Sequence, residues 1–284
     1  MEGSMAQATH EKERDFSNLC QRILERCHQQ RWYGPDIPMG GFIGYFYENG
    51  SLHARKLTHN SRTGFAFPKA SEAQLQMTEE VMGFAHPPLL RALYLQIANG
   101  GFGPDTGLIG ALGGFCSWVH HDPRYVEMTK RSLVEEYGEA FCLNHFPSLF
   151  RIIDVDLEQY EQDHGDLRLI CLAEREWPTS FLHLCEWQSE DGFYLHAKSG
   201  RLYFVTAGYG EKTLSGERAY SCLHRQDGSF EEWWERWLDG TLQAQWYTST
   251  RQVKGPEATP VTLVSNASQG DDFDLFLDFD EDLP

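Results

Sequence analysis

The sequence is poor in the short patterns that mark enzyme chemistry. Its seven cysteines, at positions 20, 27, 116, 142, 171, 185 and 222, include no C-x-x-C pair, and their odd number leaves no closed disulfide frame. Such usage predicts reduced, packed thiols and argues against a zinc site. No G-x-S-x-G elbow, H-E-x-x-H pair or Gly-Lys-Ser/Thr phosphate loop occurs, which disfavours serine hydrolases, zinc proteases and nucleotide hydrolases. The longest uncharged runs, Ala92–Pro104 and Thr106–Val119, are broken by glycine and fall short of the ~18 residues a membrane helix needs. The opening MEGSMAQATHEKER has an early Glu and no apolar stretch, so no secretory leader is expected and the expected location is the cytoplasm.

Positive charge is scarce as well. The 284 residues carry 24 Lys and Arg against 42 Asp and Glu, a net charge of −18. Seven acids (Asp271, Asp272, Asp274, Asp278, Asp280, Glu281 and Asp282) fall in the last 16 residues, and the rest still carries −11. A surface this acidic repels phosphate backbones and anionic lipid, so neither nucleic acid nor membrane is an expected partner. A basic protein is. Residues 1–14 read as a flexible N-terminus, 15–264 as one domain, and 265–284 as a disordered acidic tail studded with Phe and Leu.

What remains is ordinary globular patterning, with 41% apolar residues. Phe16, Leu19, Cys20, Ile23, Leu24 and Cys27 repeat at helical spacing behind Asp15, a candidate N-cap. The segment 41–59 reads as a β-hairpin turning at Asn49-Gly50, with Tyr47 opposite Leu52. Ser71 and Gln74 form a capping box for a helix ended by Gly83. Pro87 or Pro88 opens the next helix, whose apolar face runs from Leu89 to Ala98 and which Gly100 or Gly101 stops. Asp122-Pro123 predicts a helix start, with Val126, Leu133 and Tyr137 as its core stripe. From Phe181 the period drops to two: Phe181–Trp187, Phe193–Ala197, Leu202–Thr206 and Ala219–His224 predict strands. In the first, His183, Cys185 and Trp187 are expected to share a face. Ser229 with Glu232 caps a last helix, which Gly240 closes; its spacing turns Trp233, Trp234 and Trp237 into the core. Helices first and an antiparallel meander later give an α+β fold, helices packed on a mainly antiparallel sheet.

Three groups of residues invite a chemical reading, each with a plainer alternative. Gly101-x-Gly103 lacks the third glycine of a dinucleotide fingerprint, because position 106 is Thr, and it follows a helix; a tight loop after a helix stop fits better. His120, His121 and Asp122 are potential metal ligands, yet neighbouring side chains on extended chain point apart, and a polar loop fits better. Asp154 and Asp156 would share a strand face, as acid–base or two-metal chemistry requires, although a solvated strand end is the simpler reading. No catalytic residue, metal or cofactor is expected.

The stretch HPPLLRALYLQIANGGFGPDTGLIGALGG resembles the SUKH superfamily, which includes the Smi/Knr-type regulators of fungal cell-wall synthesis. The match lies in a Pro-led helix (Pro87, Pro88), the Leu90-x-x-Leu93-Tyr94 core, and the stop Asn99-Gly100-Gly101-Phe102-Gly103-Pro104 before a short Gly-rich strand. WPTSFLHLCEWQSEDGFYLHAKSGRLYFV and SFEEWWERWLDG are similar to the central strands and final helix of such proteins. The resemblance spans about Phe65–Gly240, weakest over Phe115–Glu176. It implies a structural role for the Asn-Gly-Gly positions and no catalytic residue. It also implies a protein-binding function, since many bacterial relatives are immunity proteins that neutralise a toxin, often a nuclease, by binding it. A regulatory scaffold of cell-wall synthesis is the alternative, and a hydrolase a more distant one.

Overall fold

The computed structural model describes residues 15–29, 42–48, 51–57, 65, 67–105, 107–116, 121–187, 191–208, 211–247 and 261–263, with the backbone alone for 42–48, 51–57 and 261–263. The N-terminal segment, the acidic tail, the Asn49-Gly50 turn and His120 lie outside these residues.

Helix α1 (Ser17–Gln29) starts where Asp15 accepts the Ser17 N–H at 2.9 Å, and it buries Leu19, Cys20, Ile23 and Cys27. Strands β1 (Phe42–Glu48) and β2 (Ser51–Leu57) pair antiparallel with Tyr47 opposite Leu52, the expected register. Helix α2 (Glu72–Met82) carries the complete Ser71–Gln74 capping box and ends on left-handed Gly83. Helix α3 (Pro88–Gln96) buries Leu89, Leu90, Leu93 and Tyr94 but ends before the glycines. Asn99 stops it: its N–H donates to Pro68 O, and its C=O accepts from Phe115, so the backbone leaves the helical ladder early.

Helix α4 (Val126–Tyr137) begins later than Asp122 predicts, because the Asp122 carboxylate is drawn into the interior and residues 123–125 form a turn. The expected stripe of Val126, Leu133 and Tyr137 is not core; α4 buries none of its side chains. There follow α5 (Glu139–His145), α6 (Pro147–Phe150), β3 (Ile153–Asp154), α7 (Leu157–His164), β4 (Leu169–Leu172) and β5 (Glu176–Trp177). Next come β6 (Phe181–Trp187), β7 (Asp191–His196), β8 (Arg201–Ala207), β9 (Ser221–Ser229), α8 (Phe230–Leu238), β10 (Ala244–Trp246) and β11 (Val261–Leu263).

A five-stranded antiparallel sheet, in the order β4-β9-β8-β7-β6, organises the α+β fold. Its inner face carries Leu182, Leu184, Phe193, Leu195, Leu202 and Phe204 against the apolar sides of α1, α2, α3 and α8. Its outer face carries Phe181, Tyr203, Val205 and Leu223, covered in part by Leu157 of α7 and by Trp177. The central strands are therefore covered on both sides. A bulge between His183 and Cys185 breaks the expected alternation at one position: Cys185 and Trp187 join the inner cluster as expected, whereas His183 stacks on Tyr194, ring centroids 4.4 Å apart.

The final helix is fixed as its pattern predicts. Ser229 and Glu232 complete the capping box, and Trp233, Trp234 and Trp237 are buried. Arg22 of α1 reaches Glu235 with two hydrogen bonds of 2.7 and 2.6 Å, and the Arg26 guanidinium lies 4.7 Å from the Trp237 ring centre.

Candidate functional site

The residues carrying the family-like motif gather where α3, the glycine-rich loop and β6 meet. Gly103, at φ 101°, lies so close to Trp234 that an added Cβ would come within 2.6 Å of the indole. Only a residue without a side chain fits there. At Gly110 an added Cβ would come within 2.4 Å of the Asn99 carbonyl oxygen. Asn99 Oδ1 accepts the Ala111 N–H at 2.7 Å, and Phe102 stacks on Trp234. The Ile109 N–H donates to Leu184 O at 2.7 Å, although no strand is assigned to 107–116 where the resemblance implies one. The loop thus packs its glycines on neighbouring chain instead of opening them toward a phosphate.

Beneath this loop sits a fully buried ion pair. Arg124 meets Asp122 in a fork, Nε to Oδ1 at 2.8 Å and Nη2 to Oδ2 at 2.7 Å, and neither side chain touches solvent. Its remaining donors reach Tyr94 Oη, Ile109 O, Gly110 O and His183 O. Asp122 also accepts the His183 N–H at 2.7 Å. Burial works against the Arg124 charge, but the Asp122 carboxylate outweighs it and holds the guanidinium charged. Burial pushes the Tyr94 hydroxyl up to about 12, so it stays protonated and donates to Ile109 O. The bulged edge of β6 is thereby satisfied by side chains and loop, the kind of cover that keeps an edge strand from pairing elsewhere. Sequence reasoning missed Arg124 because two turn residues of opposite charge flanking a proline look like a solvated loop.

The other candidates have structural occupations. With Asp122 saturated by Arg124, the proposed His120-His121-Asp122 ligand set loses its carboxylate. His121 lies apart, its ring 5.0 Å from Trp177. Among the described residues no group of three or more His, Cys, Asp or Glu side chains could hold a metal ion. Asp154 accepts the Thr179 N–H and hydroxyl at 2.9 and 2.8 Å, and Asp156 caps α7 through the N–H groups of Glu158 and Gln159. The two carboxylates tie down two different elements and do not converge. All seven thiols are free and buried, and burial pushes Cys20 up to about 11 and Cys27 to about 12. Cys20 and Cys27 remain protonated at neutral pH, which makes them poor nucleophiles.

The outer face also holds a cavity of about 690 Å³, lined by Trp177, Tyr194, Val205, Arg218 and Tyr220 among others. The Trp177 indole N–H is buried with no acceptor among the described residues. Glu174 and Arg218 both contribute to the lining, so aromatic walls meet charges of both signs. Among the described residues no helix is long and apolar enough to cross a membrane.

No family model, curated protein or solved structure matches the chain.

Proposed function

We propose that this chain is a non-catalytic protein-binding factor of the immunity type, which neutralises a basic toxin domain, such as a nuclease, by covering it. The excess of acid carries the reading: the net charge is −18, and −11 without the C-terminal acids. A nuclease presents a basic groove to phosphate, and an acidic protein is drawn to that groove at long range and held in register by complementary charge. The resemblance between residues 65 and 240 points the same way. Further support comes from the placement of the motif. Tyr94 and the Asn99–Pro104 stop are committed to packing and to the Arg124 network, as a structural motif in a binding protein requires.

The test is genetic and biochemical together. The chain is co-expressed with the product of the gene beside its own, then purified through a tag on the chain. Capture of a basic protein whose toxicity the chain suppresses is the expected result. An unassisted hydrolytic activity of the purified chain, or a neighbour that remains toxic in its presence, overturns the reading.

A further inference from the structure

We infer that the exposed aromatic column at the α4–α5 junction is the docking surface for a cationic segment of the partner protein, an inference that rests on the binding function proposed above. The fold spends little of this region on its own core: α4 buries no side chain and α5 buries Cys142 alone. Instead Tyr137, Phe141 and His145, spaced four apart, form one stack. The Tyr137 and Phe141 ring centroids are 5.5 Å apart with 25° between planes, and those of Phe141 and His145 are 3.8 Å apart with 8°. Phe146 sets its ring edgewise at 6.3 Å from Phe141. Tyr137 is 49% and Phe141 41% exposed. Single apolar side chains on a surface are commonplace, but contiguous aromatic ones mark contact sites.

Charge decides the occupant. Glu135, Glu136 and Glu139, in the same stretch of chain as the column, are exposed, and the Glu136 carboxylate engages the Tyr137 hydroxyl, pushing its pKa up. Of the two cations of α4, Lys130 is paired with Glu127 at 2.8 Å, and Arg131 is exposed one turn before Glu135. From Glu135 to Phe150 the sequence holds three acids, Glu135, Glu136 and Glu139, and no Arg or Lys. An acidic segment would be repelled here, and a purely apolar one would leave carboxylates without counter-charge. Arginine side chains meet both demands, because the guanidinium plane lies on an aromatic face while its N–H groups pair with carboxylates. The partner's segment is therefore arginine-bearing and contacts the protein mainly through residues 135–146.

The experiment titrates the ¹⁵N-labelled full chain with a short peptide of alternating Arg and Leu, and in parallel with its Glu and Leu counterpart. Amide shifts from the Arg peptide are expected to cluster at 135–146, and the Glu peptide is expected to leave them still. Tyr137→Ser/Phe141→Ser should raise the Kd roughly fivefold at physiological salt, the order of one aromatic contact, with little change of melting temperature because both rings are about half exposed. Glu136→Gln/Glu139→Gln should weaken binding at low salt and matter less at high salt. Shifts confined to the C-terminal acids, or an unchanged Kd in the serine variant, overturn this surface while leaving a basic partner intact. An Arg peptide that binds nowhere on the chain at low salt overturns both.

Discussion

Arg124 makes more polar contacts than any other side chain described, and all of them are dry. Removing one member of a buried pair leaves the other charge uncompensated, at a cost of about 3–5 kcal/mol. Arg124→Met is expected to lose that much in urea unfolding. Asp122→Asn/Arg124→Met, which discharges both ends, should lose clearly less; equal losses would mean that the pair is not coupled. The buried histidines set the response to acid. Burial holds His86 and His183 at about 4 and His224 at about 3, below the ordinary value near 6.5. Above pH 6.5 these rings are neutral in the folded and unfolded chain alike, so they contribute no pH dependence. Below it the unfolded chain takes up protons that the folded chain refuses, and stability falls as the pH drops from 6.5 toward 4. In the urea midpoint these three rings should add about three protons to the unfolded chain near pH 5, with His196, which burial also lowers, adding to them, and His224→Gln should remove one. A midpoint independent of pH across that window contradicts the burial of these rings. Little of this was legible beforehand. A histidine at an alternating strand position does not announce a bulge, and Asp122 beside a proline imitates a helix cap.

Elements whose ends carry their own chemistry were readable from sequence. The Ser71–Gln74 and Ser229–Glu232 boxes, the β1–β2 register and the β6 span came out as the residue patterns predict. Those signals are local, since each is a donor, an acceptor or a φ preference within four residues. Substituting Ser229→Ala should cost about 1 kcal/mol, the usual worth of an N-cap, and Trp237→Ala about 3–5 kcal/mol through the cavity it leaves. A melting temperature unmoved by the tryptophan substitution would contradict its place in the inner core. Elements positioned by distant partners were not readable. The end of α3 depends on Pro68 and Phe115, which take up the Asn99 backbone from afar. The short α5, α6 and α7 span too few turns to display a period. The stripe on α4 is half-buried at Val126 and Leu133 and exposed at Tyr137, and periodicity cannot tell how deeply a helical face is covered.

Across the whole molecule, packing and charge divide the work. The inner face of the sheet and the Arg124 network order the described body, and among the described acids only Asp122 is buried. Attraction between opposite charges acts before contact, so it raises the association rate and is screened by salt, whereas short-range contacts set the dissociation rate. The deciding measurement is the association rate of the full chain with its captured basic partner, followed by stopped flow from low to high salt. The account predicts a rate that falls by an order of magnitude or more as salt rises, with a dissociation rate that changes far less. An association rate indifferent to salt would contradict it.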